Sequence, residues 1–360
     1  MINIELIQAA QGDCIWIEYG KDADTLHRIL IDGGTSGTYK HLKKRIENLS
    51  SKERHFDLLV ITHIDADHIA GILKLIENDG LALSFADIWF NGYKHLGKSR
   101  IRGVTQGERL SDYLNKPNIP WNKAFNGKAV CVDKRKKFSP IELLGGMKLT
   151  LFSPTKKALA DLKPHWKKEA QKAGLFPEEK MLHTEDINTL SDASISSPRV
   201  TLPDIDSLAD TPFKSDASLT NGSSIAFLAE YDGKKMLLTG DAYASTLLQS
   251  IKKYLPDCEP FYLDLLKLPH HGSDGNISKN LLERIRCSKY LISANGAYHK
   301  HPDKIAIAKI IKYGGHKPDI YFNYLSKYNE IWGNSDLQKK YQYFSHYPAD
   351  DQTSINIYFK

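Results

Sequence analysis

The chain has 360 residues, 41% of them hydrophobic and 26% charged, a balance ordinary for a soluble globular protein of one large or two small domains. No apolar run approaches the roughly 18 residues needed to cross a bilayer, which excludes a transmembrane helix. A net charge of +6 is compatible with an anionic substrate but does not define one.

The N-terminus, Met1 to Ile7, alternates like a strand and lacks the basic and apolar regions of a signal peptide, so a cytoplasmic location is expected. Strands are predicted at Asn3–Gln8, Asp13–Tyr19 and His27–Asp32, the last running into Gly33-Gly34. A helix over Tyr39–Leu49 and a strand over Phe56–Ile61 follow. Ile69, Ile72, Leu73 and Ile76 then share one helical face. From Gly92 to Asn221 the pattern blurs, with a strand at Met147–Phe152, a basic helix over Thr155–Ala173 and a Ser/Asp/Thr/Pro-rich stretch from Leu182 to Thr220. Order returns at Ser224–Tyr231, where Asp232-Gly233 and Lys235–Thr239 complete a hairpin signal. A helix to Tyr254, strands at Tyr262–Leu268 and Tyr290–Ala294, and a helix after Pro302 come next. Ser354–Phe359 alternates like a terminal strand. Strands alternating with helices argue for an α/β sandwich, with residues 92–220 as an insertion or cap between its halves.

The most informative stretch is Thr62-His63-Ile64-Asp65-Ala66-Asp67-His68. Four potential ligands lie between a strand and a helix, an arrangement that aims several side chains at one point and predicts a metal-dependent hydrolase. The run Asp57–His63 overlays Asp264–His270, and the overlay continues to place Asp67 on Asp274. Each copy follows another strand that ends in Asp and Gly, at Asp32-Gly33 and Gly240-Asp241, so the chain reads as two related halves feeding one site. The four cysteines, Cys14, Cys131, Cys258 and Cys287, are far apart without a C-x-x-C pair, and buried free thiols are expected. The basic runs His41–Arg45 and Lys134–Lys137 read as solvated faces unless they meet phosphate.

The His63-x-Asp65-x-Asp67-His68 pattern resembles the signature of the metallo-β-lactamase superfamily. More closely, the chain resembles the soluble hydrolase domain of the DNA-uptake channel family (ComEC-like). The similarity rests on Gln11-Gly12-Asp13, Ile31–Gly34, Thr62–His68, Asn221–Ser224, Thr239–Asp241, Pro269–Ser273 and His301-Pro302. It implies a four-layer αββα sandwich forming a single domain over residues 1–360. It also implies two divalent metal ions: His63, Asp65 and Asp241 on one, Asp67, His68, Asp241 and His270 on the other, with Asp241 bridging. Asp32 matches a position that orients the loop or a ligand imidazole. Relative to the commoner superfamily pattern, Asp65 and Asn221 replace imidazole by oxygen. That favours manganese, magnesium or ferrous iron relative to zinc.

The expected chemistry is attack by a metal-bridged hydroxide, with Asp67, His271 and His301 as catalytic candidates and Asn221, Ser223 and Ser273 donating to a phosphoryl group. The leading expectation is a phosphodiesterase or nuclease acting on an anionic phosphodiester, nucleic acid included. The alternatives are a hydrolase of a small ester, thioester or lactone beneath an apolar lid, or a catalytic subunit of a multi-protein bacterial defence system. In the last case the Asp186–Asp216 stretch is a candidate docking segment for a protein partner. An open groove bearing Lys134–Lys137 and Lys156-Lys157 fits the phosphodiester reading better than a lid does.

Overall fold

A computed structural model describes residues 1–22, 25–77, 79–96, 106–133, 135–166, 168–169, 202–256 and 259–359. The first half contains β1 (Ile2–Ile7), β2 (Ile15–Tyr19), β3 (His27–Ile31), α1 (Tyr39–Glu47), β4 (His55–Phe56), β5 (Leu58–Val60), α2 (Ala66–Ile76), β6 (Ser84–Phe85) and β7 (Ile88–Trp89). Next come α3 (Gln106–Leu114), β8 (Ile141–Glu142), β9 (Lys148–Ser153), α4 (Lys156–Leu162), α5 (Ile205–Ala209) and α6 (Leu219–Gly222). The second half continues with β10 (Ala226–Tyr231), β11 (Lys234–Leu238), α7 (Ala244–Tyr254), β12 (Phe261–Lys267), α8 (Lys279–Arg284) and β13 (Ile285–Ile292). It ends with α9 (Lys304–Tyr313), β14 (Asp319–Phe322), α10 (Ser335–Tyr341), β15 (Phe344–His346) and β16 (Ser354–Phe359).

Two large sheets result, in the orders β16-β1-β2-β3-β5-β7 and β15-β14-β13-β12-β11-β10-β9-β8. Alternation decides which face of β1 turns inward: Ile2, Ile4 and Leu6 are buried while Asn3 and Glu5 are only partly so. Those residues join Ile17, Ile29 and Val60 against Leu149, Phe227, Met236, Leu265 and Leu291 of the other sheet, forming the central apolar layer. Outside the first sheet, Leu42, Ile46, Ile69, Ile72 and Leu110 bring α1, α2 and α3 onto its far face. Outside the second, Leu247, Ile251, Leu281, Ile307 and Ile310 bring α7, α8 and α9 onto its far face. The architecture is therefore helix, sheet, sheet, helix, the layering of the metallo-β-lactamase fold.

Several expectations are refined. The strand foreseen over Phe56–Ile61 is divided, because the Asp57 carboxylate turns to accept the Arg28 backbone N–H at 3.0 Å. The equivalent Asp264 accepts the Lys235 N–H at 2.9 Å, so the two halves share this device as well as parallel β3–β5 and β11–β12 pairs. Residues within the 92–220 stretch supply β8 and β9 to the second sheet. Lys156–Leu162 is helical, whereas the rest of the stretch to Ala173 and most of Asp186–Asp216 lie wholly or partly outside the described residues. Asp232 and Gly233 both adopt positive φ, 49° and 74°, as a two-residue turn of the I′ type requires. Ser354–Phe359 pairs antiparallel with β1. Cys14, Cys131 and Cys287 are free thiols, and Cys258 lies outside the described residues. Among the described residues, no helix is long and apolar enough to cross a membrane.

Candidate metal centre

The centre forms where strand ends of both sheets meet. β5 releases Thr62 and His63, Asp65 stands at the residue before α2, and Asp67 and His68 occupy the helix's first turn. On the other sheet, β11 leads into Gly240-Asp241 and β12 into Pro269-His270-His271-Gly272. Gly240 has φ +49°, and a Cβ there would come within 3.0 Å of the Thr62 side chain, so glycine lets these two loops touch.

Asp241 sits among three imidazoles. Its Oδ2 lies 3.8 Å from His63 Nε2, 3.4 Å from His68 Nε2 and 3.5 Å from His271 Nε2. On one side, Asp65 Oδ2 is 3.4 Å from His63 Nε2 and accepts the Thr220 hydroxyl at 3.0 Å. On the other, Asp67 Oδ2 is 3.6 Å from His271 Nε2, which is 3.3 Å from His68 Nε2. Asp13, His68, Asp241 and His271 form a buried set whose ligand atoms all lie within 4.8 Å of one another.

The rings are held from behind. Asp32, fully buried, accepts the Thr62 N–H at 2.8 Å and the Thr62 hydroxyl at 2.7 Å, and its Oδ2 lies 2.8 Å from His68 Nδ1. His63 Nδ1 faces the hydroxyls of Thr62 and Ser224 at 3.0 and 3.1 Å. Ser224 Oγ also accepts the Asp241 N–H at 3.1 Å. His271 Nδ1 faces the Ser293 carbonyl at 2.9 Å and Asp13 Oδ1 at 3.3 Å, and Asp13 pairs with the fully buried Lys267. With Nδ1 hydrogens directed outward, each Nε2 lone pair points inward; this tautomer follows from the bonding network.

The donor set fits divalent cations. His63 Nε2 and Asp241 Oδ1 are buried polar atoms without a hydrogen-bond partner, a costly arrangement that a cation between them would relieve. Without one, the imidazoles must supply the positive charge. Burial opposes ionisation of Asp241, yet His271 and His68 hold its carboxyl well below the usual range. Burial likewise opposes the His271 cation, but Asp241 and Asp13 push it up to about 9. His68 is raised well above its ordinary value against its own burial, by Asp241, Asp32 and Asp67.

The remaining expected residues are placed as follows. His270, read as a ligand, turns its Nδ1 to Asn276 Oδ1 at 3.0 Å, Asn221 Nδ2 at 3.3 Å and Asp216 Oδ2 at 3.6 Å, while its neighbour His271 faces Asp67, His68 and Asp241. The reason is local: His270 and His271 both have positive φ, 49° and 55°, and that left-handed turn aims the second ring inward. Asn221 donates to Asp216 at 2.8 Å, and Ser223 donates to the Thr220 carbonyl at 2.6 Å, so both are engaged within the protein. Ser273, 9% exposed, donates its backbone N–H to the His270 carbonyl. His301 lies at the rim, its ring centroid 5.4 Å from that of His270 and 5.7 Å from that of His299. Asp13, Lys267, Thr220 and Ser224 were not singled out from sequence as site residues; Gln11-Gly12-Asp13 and Asn221–Ser224 were the motif signals that could have found two of them.

Residues 8–91 match the family model of the metallo-beta-lactamase superfamily, and this part of the chain carries that superfamily's domain. No curated protein matches the chain. Among solved structures, zinc-bound PqqB from Methylobacterium extorquens is 12% identical with a TM-score of 0.41, with 100% of each chain covered. A mutant of the CmlA beta-hydroxylase is 10% identical with a TM-score of 0.40; 99% of this chain aligns with 54% of that one. At these identities the likenesses bear on no substrate.

Proposed function

We propose that the chain is a metal-dependent hydrolase of phosphodiesters with a two-cation centre; its superfamily match supports metal-dependent hydrolysis. The observation that carries the reading is Asp241 at the meeting point of three inward imidazole nitrogens, with Asp241 Oδ1 and His63 Nε2 left unpartnered. His63 and Asp65 would hold one cation, and Asp67, His68 and His271 the other, with Asp241 shared. Bound divalent cations would supply Lewis acidity to water and neutralise charge on the substrate's oxygens. Asp65 adds oxygen where imidazole is commoner, which favours a hard ion such as manganese.

The chain's own residues do the rest. Asp32 fixes the His68 ring, Ser224 links His63 to the Asp241 loop, and Thr220 holds Asp65 in place. His270, His299 and His301 cluster beside His271, polar neighbours that suit an anionic substrate.

The test is hydrolysis of bis-p-nitrophenyl phosphate, DNA and RNA with Mn²⁺, Mg²⁺ or Zn²⁺, beside a folded Asp241→Ala variant. Cleavage that needs both metal and Asp241 is expected. Full activity in the variant, or cleavage of small esters alone by the loaded protein, overturns the reading.

A further inference from the structure

Three segments distant in sequence meet beside α4. Val132 pairs with Thr155 through a β-bridge, and the Val132 N–H donates to the Pro154 carbonyl at 2.8 Å. From α7, Lys253 Nζ donates to the Asp133 carbonyl at 2.9 Å and to the Lys136 carbonyl, and it lies 4.8 Å from the Phe138 ring centroid. Lys253 thus ties Asp133 and Lys136 to the C-terminal end of α7.

This arrangement displays Arg135, Lys136, Lys137, Lys156, Lys157 and Lys252 on the surface. Their exposure is high where it is measured: 89% for the Arg135 side chain, 61% for Lys156 and 79% for Lys157. Within residues 132–137, 155–162 and 252–253 the acidic side chains are Asp133, which pairs with Lys156 and lies 3.9 Å from Arg135, and Asp161, which pairs with Lys157. Among the described residues, no carboxylate is recorded against Lys136, Lys137 or Lys252. Six cations thus meet two carboxylates here, a local excess of positive charge in a chain that carries +6 overall.

The patch is also connected to the metal centre. α7 begins three residues after Asp241, and its last residue, Tyr254 beside the patch, lies ten steps beyond its first, about 15 Å at 1.5 Å per residue. α4, which carries Lys156 and Lys157, packs on α6, whose Thr220 bonds Asp65. A nucleic-acid strand advances about 3.4 Å per phosphate, so about four nucleotides span that distance.

From this placement we infer that the 135–137, 156–157 and 252 surface is a sequence-independent track for the phosphodiester backbone of nucleic acid, leading toward the metal centre. The inference deepens the phosphodiesterase reading by naming a polymer as substrate, and it rests on that reading for its purpose. Exposed lysines and one arginine contact phosphates without reading bases, which predicts affinity that is steep in salt and indifferent to sequence.

The test compares the full chain with the triple variant Arg135→Gln, Lys136→Gln, Lys137→Gln. Anisotropy of a labelled 20-nucleotide single strand is measured in EDTA across salt concentrations, beside vesicles containing phosphatidylserine. Three lost phosphate contacts should lower the salt slope by about 2 and weaken binding at 0.1 M salt by about 10- to 100-fold. Hydrolysis of bis-p-nitrophenyl phosphate and the melting temperature should not change. Equal binding and slope in the variant, or tighter binding to vesicles than to nucleic acid by the parent chain, overturns the track. Patch-dependent binding without any phosphodiester hydrolysis supports the surface and instead removes the proposed reaction.

Discussion

Replacing Asp32 by Asn keeps the side chain's size and turns one hydrogen-bond acceptor into a donor. Asp32 Oδ1 accepts the Thr62 N–H, which pins the carbonyl side of the new amide. The NH₂ must then occupy the Oδ2 position, 2.8 Å from His68 Nδ1 and 2.7 Å from Thr62 Oγ1. The Thr62 hydroxyl can rotate to accept. His68 cannot, unless its hydrogen moves from Nδ1 to Nε2, the nitrogen that faces Asp241 and His271. A ring protonated at Nε2 has no lone pair to offer a cation. Loss of such an orienting partner costs about 10- to 100-fold in metal affinity, or about 1.4–2.7 kcal/mol. Calorimetric titration with Mn²⁺ or Zn²⁺ reads the affinity, and ¹⁵N imidazole spectra read the tautomer. Unchanged metal affinity in Asp32→Asn, in a preparation where Asp241→Ala loses it, refutes the argument.

Three further outcomes follow from the geometry. His271→Ala should remove bound metal as measured by elemental analysis, whereas His270→Ala should retain it; the reverse result would restore His270 as the ligand. Lys267→Met should destabilise the protein by about 3–5 kcal/mol in urea unfolding, because it strands a buried Asp13 carboxylate; a loss under about 1 kcal/mol would show that Asp13 does not need its partner. Burial, with Lys94 nearby, pushes His95 from 6.5 down to about 4. The folded protein thus excludes a proton that the unfolded chain takes up, so this contribution to stability is complete above pH 6.5 and fades as pH falls toward 4. Its size is at most on the order of 3 kcal/mol. The melting temperature of the parent chain should fall more between pH 7.5 and 5 than that of His95→Gln; parallel curves would contradict it.

What sequence revealed depended on how local the information was. His63, Asp65, Asp67 and His68 lie in one strand-to-helix connection, so spacing alone gathers them. Asp241 was legible through the repeat of strand ends, and the alternation of Ser354–Phe359 was enough to predict β16. The choice between His270 and His271 was not legible, because alternation rules lapse in a turn where both residues have positive φ. Lys267 illustrates a different limit. A lysine on a strand reads as solvent-facing, and only its meeting with Asp13, 254 residues away in sequence, accounts for its complete burial. The strand β14 and the helix α10 also went unread, since each is short, and α3 went unread although it is amphipathic, because it lies where the surrounding pattern blurs.

The Gln8–Asp13 turn is stitched to the far sheet at several points. Ser293 Oγ donates to the Gly12 carbonyl at 2.6 Å, the Asn295 N–H donates to the Ala10 carbonyl at 3.0 Å, and the Ala10 N–H donates to Tyr324 at 2.8 Å. A Cβ on Gly12 would stand 1.6 Å from the Asp67 carbonyl oxygen, so the same turn also presses on the first turn of α2. Ligands from one sheet are thereby gauged against ligands from the other. Sliding of the two sheets past each other by an ångström would disassemble the centre while leaving every strand paired. Metal release would therefore report shear in this fold ahead of any loss of secondary structure, and a cation bound by ligands from both sheets would act as a rivet between the layers.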